Sequence, residues 1–321
     1  MGYPTDNTHL SNFDRGLMID QYGGFVEKQI AKASVMRQYV RLNPLRGTDT
    51  LVNRRMGKTT LQKIGDAEAG QHITGVATGF GKVSLTVDTI VLARDNRALL
   101  NEFQTNINAR AELAEDHGKT IGKFFDESFL IQCIKGALAA APSDVNSIGA
   151  GKHVSLSAAG DELDPTKFEA AIRGIVTRFA EDDVDREELL VWVRPTQFDI
   201  LATHDKLTSI EFSGANGDYA GARVARVAGA RIVESARIPK AAITGHILSN
   251  AGNSNAYDVS AAEAKCKAVI MHPRSLLAAE SIPLTSDVWY DKGTFQWYID
   301  SYLAYGVTVN RPDLCGAVFS F

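Results

Sequence analysis

Residues 96–141, NRALLNEFQTNINARAELAEDHGKTIGKFFDESFLIQCIKGALAAA, decide how the rest of this chain is read. Leu99, Phe103, Ile107, Ala111, Ala114, Ile121, Phe125, Phe129 and Ile134 recur at spacings of mostly three and four. That is one face of a helix, and acids and bases fill the other. The pattern predicts about 40 residues of helix, against a mean of about 11 to 12 in globular proteins. Asp95 stands where an N-cap is expected, and Pro142 closes the run. Gly118 and Gly122 are expected to bend or break it. A helix this long is a spine for other elements.

Working outward, VSLTVDTIVLARD (83–95) reads as one strand, alternating at Val83, Leu85 and Val87 before the buried run Ile90–Leu92. Before it, residues 46–82 are rich in Gly and Thr and poor in large apolar residues. They predict two polar strands returning around GDAEAG (65–70), a long hairpin. Such a ribbon is marginal alone in water and needs a surface to lie on. Residues 23–40 read as a short helix or the start of an arm, after a polar tail.

Beyond Pro142, DPTKFEAAIRGIVTRFAEDD (164–183) predicts a helix buried on Phe168, Ile172, Ile175 and Phe179. A buried strand at Leu189–Val193 follows, then a helix starting at Pro195. Residues 222–239 form a hairpin-like pair split by Gly229, 241–262 read as irregular, and 264–282 hold one more buried strand. From 289 onward aromatic residues alternate as on a long strand. Residues 140–270 thus form their own α/β module, flanked by parts of a single elongated unit.

The chain has 321 residues, 45% apolar and 22% charged, the composition of a folded protein. No apolar run approaches the roughly 20 residues that span a bilayer, so no membrane partner is expected. No secretory signal is expected at the N-terminus, and Asp6 breaks the myristoylation pattern. Cys133, Cys266 and Cys315 are odd in number and far apart, which predicts buried, inert thiols. Between Lys28 and Lys58, eight Lys or Arg face one acid, Asp49, for a charge of +7; the rest of the chain carries −11 of the net −4. A basic arm on an acidic body suits nucleic acid or a neighbouring copy. With Tyr39 the one aromatic there to stack on bases, self-association is favoured.

No catalytic constellation emerges. SIGAGKHV (147–154) and ATGFGKVS (77–84) imitate phosphate loops, but Asn146 and His153, or Val76 and Val83, occupy the required Gly and Ser/Thr positions. The seven His show no metal spacing. His204 beside Asp205 reads as surface, and Asp126–Glu127 as a solvated or contact-making pair. No cofactor is expected, and the chain reads as something built rather than an enzyme.

The layout of arm, polar hairpin, strand into a spine helix, inserted α/β module and returning strand resembles the tailed-phage major capsid proteins, the Hong Kong 97-type α+β fold. The likeness is nearest to the short-tailed T-seven-like podoviruses. It is carried by GGFVEKQIAKASVMRQYVR (23–41), KVSLTVDTIVLARDN (82–96), LVWVRPTQFDIL (190–201), GARVARVAGARIVESARIP (221–239), AVIMHPRSLLAAESI (268–282) and YLAYGVTVNRPDLCGAV (302–318). It implies an N-terminal arm (1–44), an extended loop (45–82), a peripheral domain with the spine helix (83–140), an axial domain (141–270) and returning peripheral strands (271–321). The last of these includes the C-terminus, re-aimed by Gly306 and the Arg311-Pro312-Asp313 turn and docked by Gly316-Ala317-Val318.

The implied function is a self-assembling virion protein: hexamers and pentamers closing an icosahedral shell around double-stranded DNA, assembled in the host cytoplasm with portal and scaffolding proteins. Candidate contacts between subunits are Lys28, Lys32, Arg37, Arg41, Arg54, Arg55, Lys58, Lys63, Asp126, Glu127 and Arg311. The alternatives are an encapsulin-like cargo shell, an α/β enzyme centred on 140–270, and a nucleic-acid-binding protein using Lys28–Lys58.

Overall fold

A computed structural model of the chain describes residues 25–30, 33–57, 59, 61–63, 79–98, 109–145, 148–204, 217–218, 223–224 and 226–321. By compactness the chain divides into two units: Met1–Asp49, Val87–Phe129 and Ala278–Gly306 in one, Thr50–Thr86, Leu130–Leu277 and Val307–Phe321 in the other.

In the first unit a four-stranded sheet runs in the order β1 (Leu42–Pro44), β12 (Leu276–Asp291), β13 (Gln296–Val309) and β4 (Val91–Ala98). The spine is α1 (Ala109–Leu138), 30 residues long. Phe125 and Phe129 stack at 4.4 Å, and both pack on Tyr305 of β13. The N-terminal half of the expected helix lies outside the described residues, Leu99, Phe103 and Ile107 included. Two expectations need correction. Asp95 caps no helix: it lies in β4 opposite Ile299, because the strand pairs without a break from Gln296↔Ala98 to Leu303↔Val91. Gly118 and Gly122 do not interrupt α1. A Cβ on Gly118 would meet Val26 O at 2.8 Å, and one on Gly122 would meet Ala33 Cβ at 2.9 Å. These glycines let Val26, Gln29 and Ala33 lie against the helix.

The strand expected over 83–95 is two strands in different sheets, β3 (Phe80–Thr86) and β4. Asp88, a poor strand former, stands at the break and accepts from the Thr89 hydroxyl at 3.0 Å. In the second unit, β2 (Thr50–Met56) and β3 pair antiparallel as the expected ribbon, with GDAEAG outside the described residues.

The rest of that unit surrounds a six-stranded sheet of order β5-β14-β11-β6-β10-β9. These strands are β5 (Lys152–Ser155), β6 (Leu190–Val193), β9 (Arg226–Val227), β10 (Ala230–Glu234), β11 (Cys266–Met271) and β14 (Cys315–Phe319); the small pair β7 (Gly217–Asp218) and β8 (Arg223–Val224) stands apart. The helix α2 (Pro165–Glu181) is capped by Asp164, which accepts from the Thr166 and Lys167 amides. It buries Phe168, Ile172, Ile175 and Phe179 completely against the sheet, as its spacing predicted. Pro195 opens α3 (Pro195–Ala202). The pair β9–β10 turns through Ala228 and Gly229, both at positive φ, the backbone of a tight two-residue hairpin.

The C-terminus corrects the sequence reading most. β14 is no peripheral strand: it lies inside the six-stranded sheet, antiparallel to β11 and parallel to β5. Five successive buried residues gave no alternation that would have pointed to one face. The irregular 241–262 stretch is tied down by the Ile243↔Val259 bridge, and Asp258 accepts the Gly245 and His246 amides.

Candidate functional site

The ribbon divides its side chains cleanly. Inward residues Leu51, Asn53 and Arg55 alternate with outward Val52, Arg54 and Met56; across the register lie Leu85, Val83 and Gly81, then Ser84, Lys82 and Phe80. The inner face is seated on its own subunit. Arg55 donates to the Asn310 carbonyl at 3.1 Å and reaches Asp144 at 3.5 Å. Gly81 passes so close to Asp144 and Val145 that a Cβ has no room there.

The outer face is left costly. Arg54 sits directly opposite Lys82, a like-charge pair that weakens the ribbon. Beside it, Met56 and Phe80 face each other at 66% and 72% exposure. A face of paired cations and paired exposed apolar side chains fits an acidic, partly apolar partner.

The other candidate residues scatter. Lys28, Arg41 and Lys63 are exposed, Arg37 and Glu127 half-buried, and Lys32 and Lys58 lie outside the described residues. Three make polar contacts within their own subunit. Asp126 is buried and accepts from Ser34 Oγ at 2.6 Å, Val35 N at 3.0 Å and Met36 N at 3.2 Å, pinning the N-terminal segment to α1. Arg55 is committed as described, and Arg311 clamps Asp313 through Nε at 3.2 Å and Nη2 at 2.6 Å.

Sequence reading missed two clusters. In the first, His117 Nε2 lies 2.9 Å from Asp95 Oδ2 and its Nδ1 lies 3.4 Å from Ser301 Oγ. The order imitates a hydrolase triad, but Ser301 is wholly buried, so the cluster fastens helix to sheet and offers no nucleophile to a substrate. In the second, Arg94 donates to both Asp300 oxygens at 2.7 Å and lies over Trp289 and Tyr298, whose rings stack at 4.5 Å. Burial pushes the Asp300 carboxyl up, but hydrogen bonds from Arg94 and Trp289 outweigh it and hold it below the usual carboxylate range. The aromatic run after 289 therefore builds ring pairs across the β12–β13 turn.

The remaining chemistry is quiet. His204, expected on the surface, is buried. Lys152, the imitation phosphate-loop lysine, is spent on Asp182 Oδ2 at 2.6 Å and the Asp313 carbonyl at 2.8 Å. All three cysteines are free and buried; burial pushes the Cys266 and Cys315 thiols up to about 12 and Cys133 well up too. Among the described residues no cluster of His, Cys, Asp or Glu is arranged to hold a metal, and no helix is long and apolar enough to cross a membrane. An open cavity of about 660 Å³ is ringed by Asp182, Asp185, Glu188, His272 and Arg274, with Ile148, Val184 and Leu314 also lining it.

No protein-family model matches the sequence, and no curated protein does. Solved structures match closely in shape. The asymmetric unit of the bacteriophage PhiM1 mature capsid superposes with a TM-score of 0.77 at 28% identity, covering 89% of this chain and 87% of that one. The capsid of cyanophage P-SCSP1u gives 0.78 at 15% identity over 90% and 88%. A virus-like particle from Pyrococcus furiosus gives 0.56 at 10% over 94% and 99%. The fold is the Hong Kong 97-type capsid fold, and the structural neighbours include phage major capsid proteins.

Proposed function

We propose that this chain is the major capsid protein of a short-tailed phage of the T-seven-like group, forming hexamers and pentamers of an icosahedral shell around double-stranded DNA. The observation that carries this is the likeness to the PhiM1 mature capsid over nearly nine-tenths of both chains. The parts then take their roles: arm (1–44), extended loop (45–82), spine region (83–140), axial module (141–270), and returning strands within 271–321, of which β14 joins the axial module's sheet. The ribbon's outward face, unfavourable in a lone subunit, is covered by the next copy, a heterologous contact that closes into rings. Lys28, Lys32, Arg37, Arg41, Arg54, Lys58, Lys63 and Glu127 remain the contact candidates between copies. Asp126, Arg55 and Arg311 act within their own subunit. Portal and scaffolding proteins are the expected assembly partners, in the host cytoplasm, and no enzymatic step or cofactor is involved.

A cargo-enclosing shell is the second reading, favoured by the fold shared with the Pyrococcus furiosus particle. Its identity of 10%, against 28% for PhiM1, ranks it lower. Negative-stain imaging of the purified protein tests both: closed shells are expected, and compact particles under every condition would sink the proposal. Nuclease-protected DNA inside native particles supports the genome reading, whereas enclosed protein supports the alternative. A denaturing gel should show intact monomers, because the resemblance to the T-seven-like group implies a shell held without covalent links between copies.

A further inference from the structure

The ribbon presents its outer face in a fixed direction only if its inner face is held. Asn310 accepts two of the hydrogen bonds that hold it. Asn310 spends all four of its polar groups: Oδ1 accepts from Asn53 Nδ2 at 2.8 Å, and its carbonyl accepts from Arg55 Nη1 at 3.1 Å. Its amide N–H donates to the Ser275 carbonyl at 2.9 Å, and Nδ2 donates to the Arg274 carbonyl at 3.4 Å. Two groups grip the ribbon and two grip the 273–275 turn. A carbonyl only accepts, so the Arg274 oxygen fixes which end of the Asn310 amide is nitrogen. That fixes Oδ1 toward Asn53, which must then donate.

The turn is itself held: His272 Nδ1 accepts from the Arg274 amide at 3.1 Å, and the His272 amide donates to the Leu314 carbonyl at 3.2 Å. The clasp therefore stands on a rigid base.

We propose that Asn310 is the positioning residue of the ribbon. It sets the angle and register at which β2–β3 leaves the subunit, so that Arg54, Lys82, Met56 and Phe80 meet the next copy preorganised. Preorganisation lowers the ordering cost of association and so speeds assembly. The assembly half of this rests on the capsid reading; the clasp itself does not.

Three variants of the full-length chain test it: Asn310→Ala, Asn310→Asp and Asn53→Asp. Hydrogen exchange of the ribbon amides is followed in unassembled subunits, and shell formation by light scattering. Asn310→Ala removes two neutral hydrogen bonds, one to the ribbon at Asn53 and one to the Arg274 carbonyl. Loss of the ribbon bond should raise ribbon exchange about five-fold, with slower assembly and a melting temperature little changed. Asn310→Asp keeps the acceptor toward Asn53 but sets a carboxylate oxygen against the Arg274 carbonyl. Ribbon protection should therefore fall at neutral pH and return once acid protonates that oxygen into a donor. Asn53→Asp sets two acceptors face to face and should lose protection most at neutral pH. It should regain protection, relative to wild type at the same pH, once acid protonates the new carboxyl into a donor. A residue that merely fills space predicts no acid rescue and losses that follow global stability. Unchanged ribbon exchange in Asn310→Ala and Asn53→Asp overturns the proposal. If exchange behaves as expected but the wild-type chain forms no shells, the clasp stands and the capsid reading fails. If shells form while exchange does not move, the reverse holds.

Discussion

The ribbon β2–β3 and the six-stranded sheet are both β structure in one compact unit, and they solve opposite problems. β6, β11 and β14 bury nearly every side chain, with α2 sealing the core through Phe168, Ile172, Ile175 and Phe179. The ribbon covers only its inner face, places Arg54 opposite Lys82, and leaves Phe80 and Met56 in water. One region is stable by itself; the other is stabilised by a surface it does not carry. Folding and assembly are thereby assigned to different residues, and substitutions should separate them.

The comparison is broken most severely by deleting residues 311–321, which removes β14 from between β5 and β11. The truncated chain should be insoluble, not merely unable to assemble; a soluble, folded truncation in a circular-dichroism melt would contradict the sheet order. Next comes Phe179→Ala, expected to cost about 3–5 kcal/mol in denaturant unfolding. Its counterpart Phe80→Ala should change unfolding by no more than about 0.5 kcal/mol while sharply reducing shell yield. A large loss of stability in Phe80→Ala would mean that the ribbon is part of the core.

Asp126→Ala strands the donors Ser34, Val35 and Met36 and should cost about 3 kcal/mol, with Asp126→Asn milder because one oxygen still accepts. Protease sensitivity of the 25–40 segment should rise with it. The Arg94–Asp300 pair gives a smaller, pH-dependent effect. Its carboxyl is held below the usual range in the folded chain, so its stabilisation is complete above an unfolded value of about 3.9 and is lost as pH falls through the lower folded value. Asp300→Asn should flatten that part of the acid-unfolding curve. The smallest effect on stability is expected from Arg54→Glu: relieving the clash with Lys82 should stabilise the subunit by a few tenths of a kcal/mol. The same change should block assembly, and normal shells from it would remove the ribbon's outer face from the contact.

The periodic parts of the fold were legible. The spacing of Phe168, Ile172, Ile175 and Phe179 specifies α2, and Ala114, Ile121, Phe125, Phe129 and Ile134 are all buried on α1 as read. Candidate contacts were less legible, because charge and exposure are different properties. Arg54 and Arg55 are adjacent and identical, yet the pleat sends one to solvent and the other to Asn310. Asp126 was read as a surface acid on a charged helix face, but three donors from a segment about 90 residues earlier claim it. Asp95 has the chemistry of an N-cap, and an eight-residue ladder with β13 overrides that local preference.

By itself the sequence determined the alternation of core and surface within each element, the polarity of the hairpin and the buried state of the cysteines. These follow from local periods and from the cost of burying charge. Only the tertiary structure decided which sheet takes the C-terminal strand, which acids are spent inside the subunit, and that Asn310 holds the ribbon. Each depends on partners tens to hundreds of residues apart in the chain, whose hydrogen bonds leave no period in the sequence that carries them.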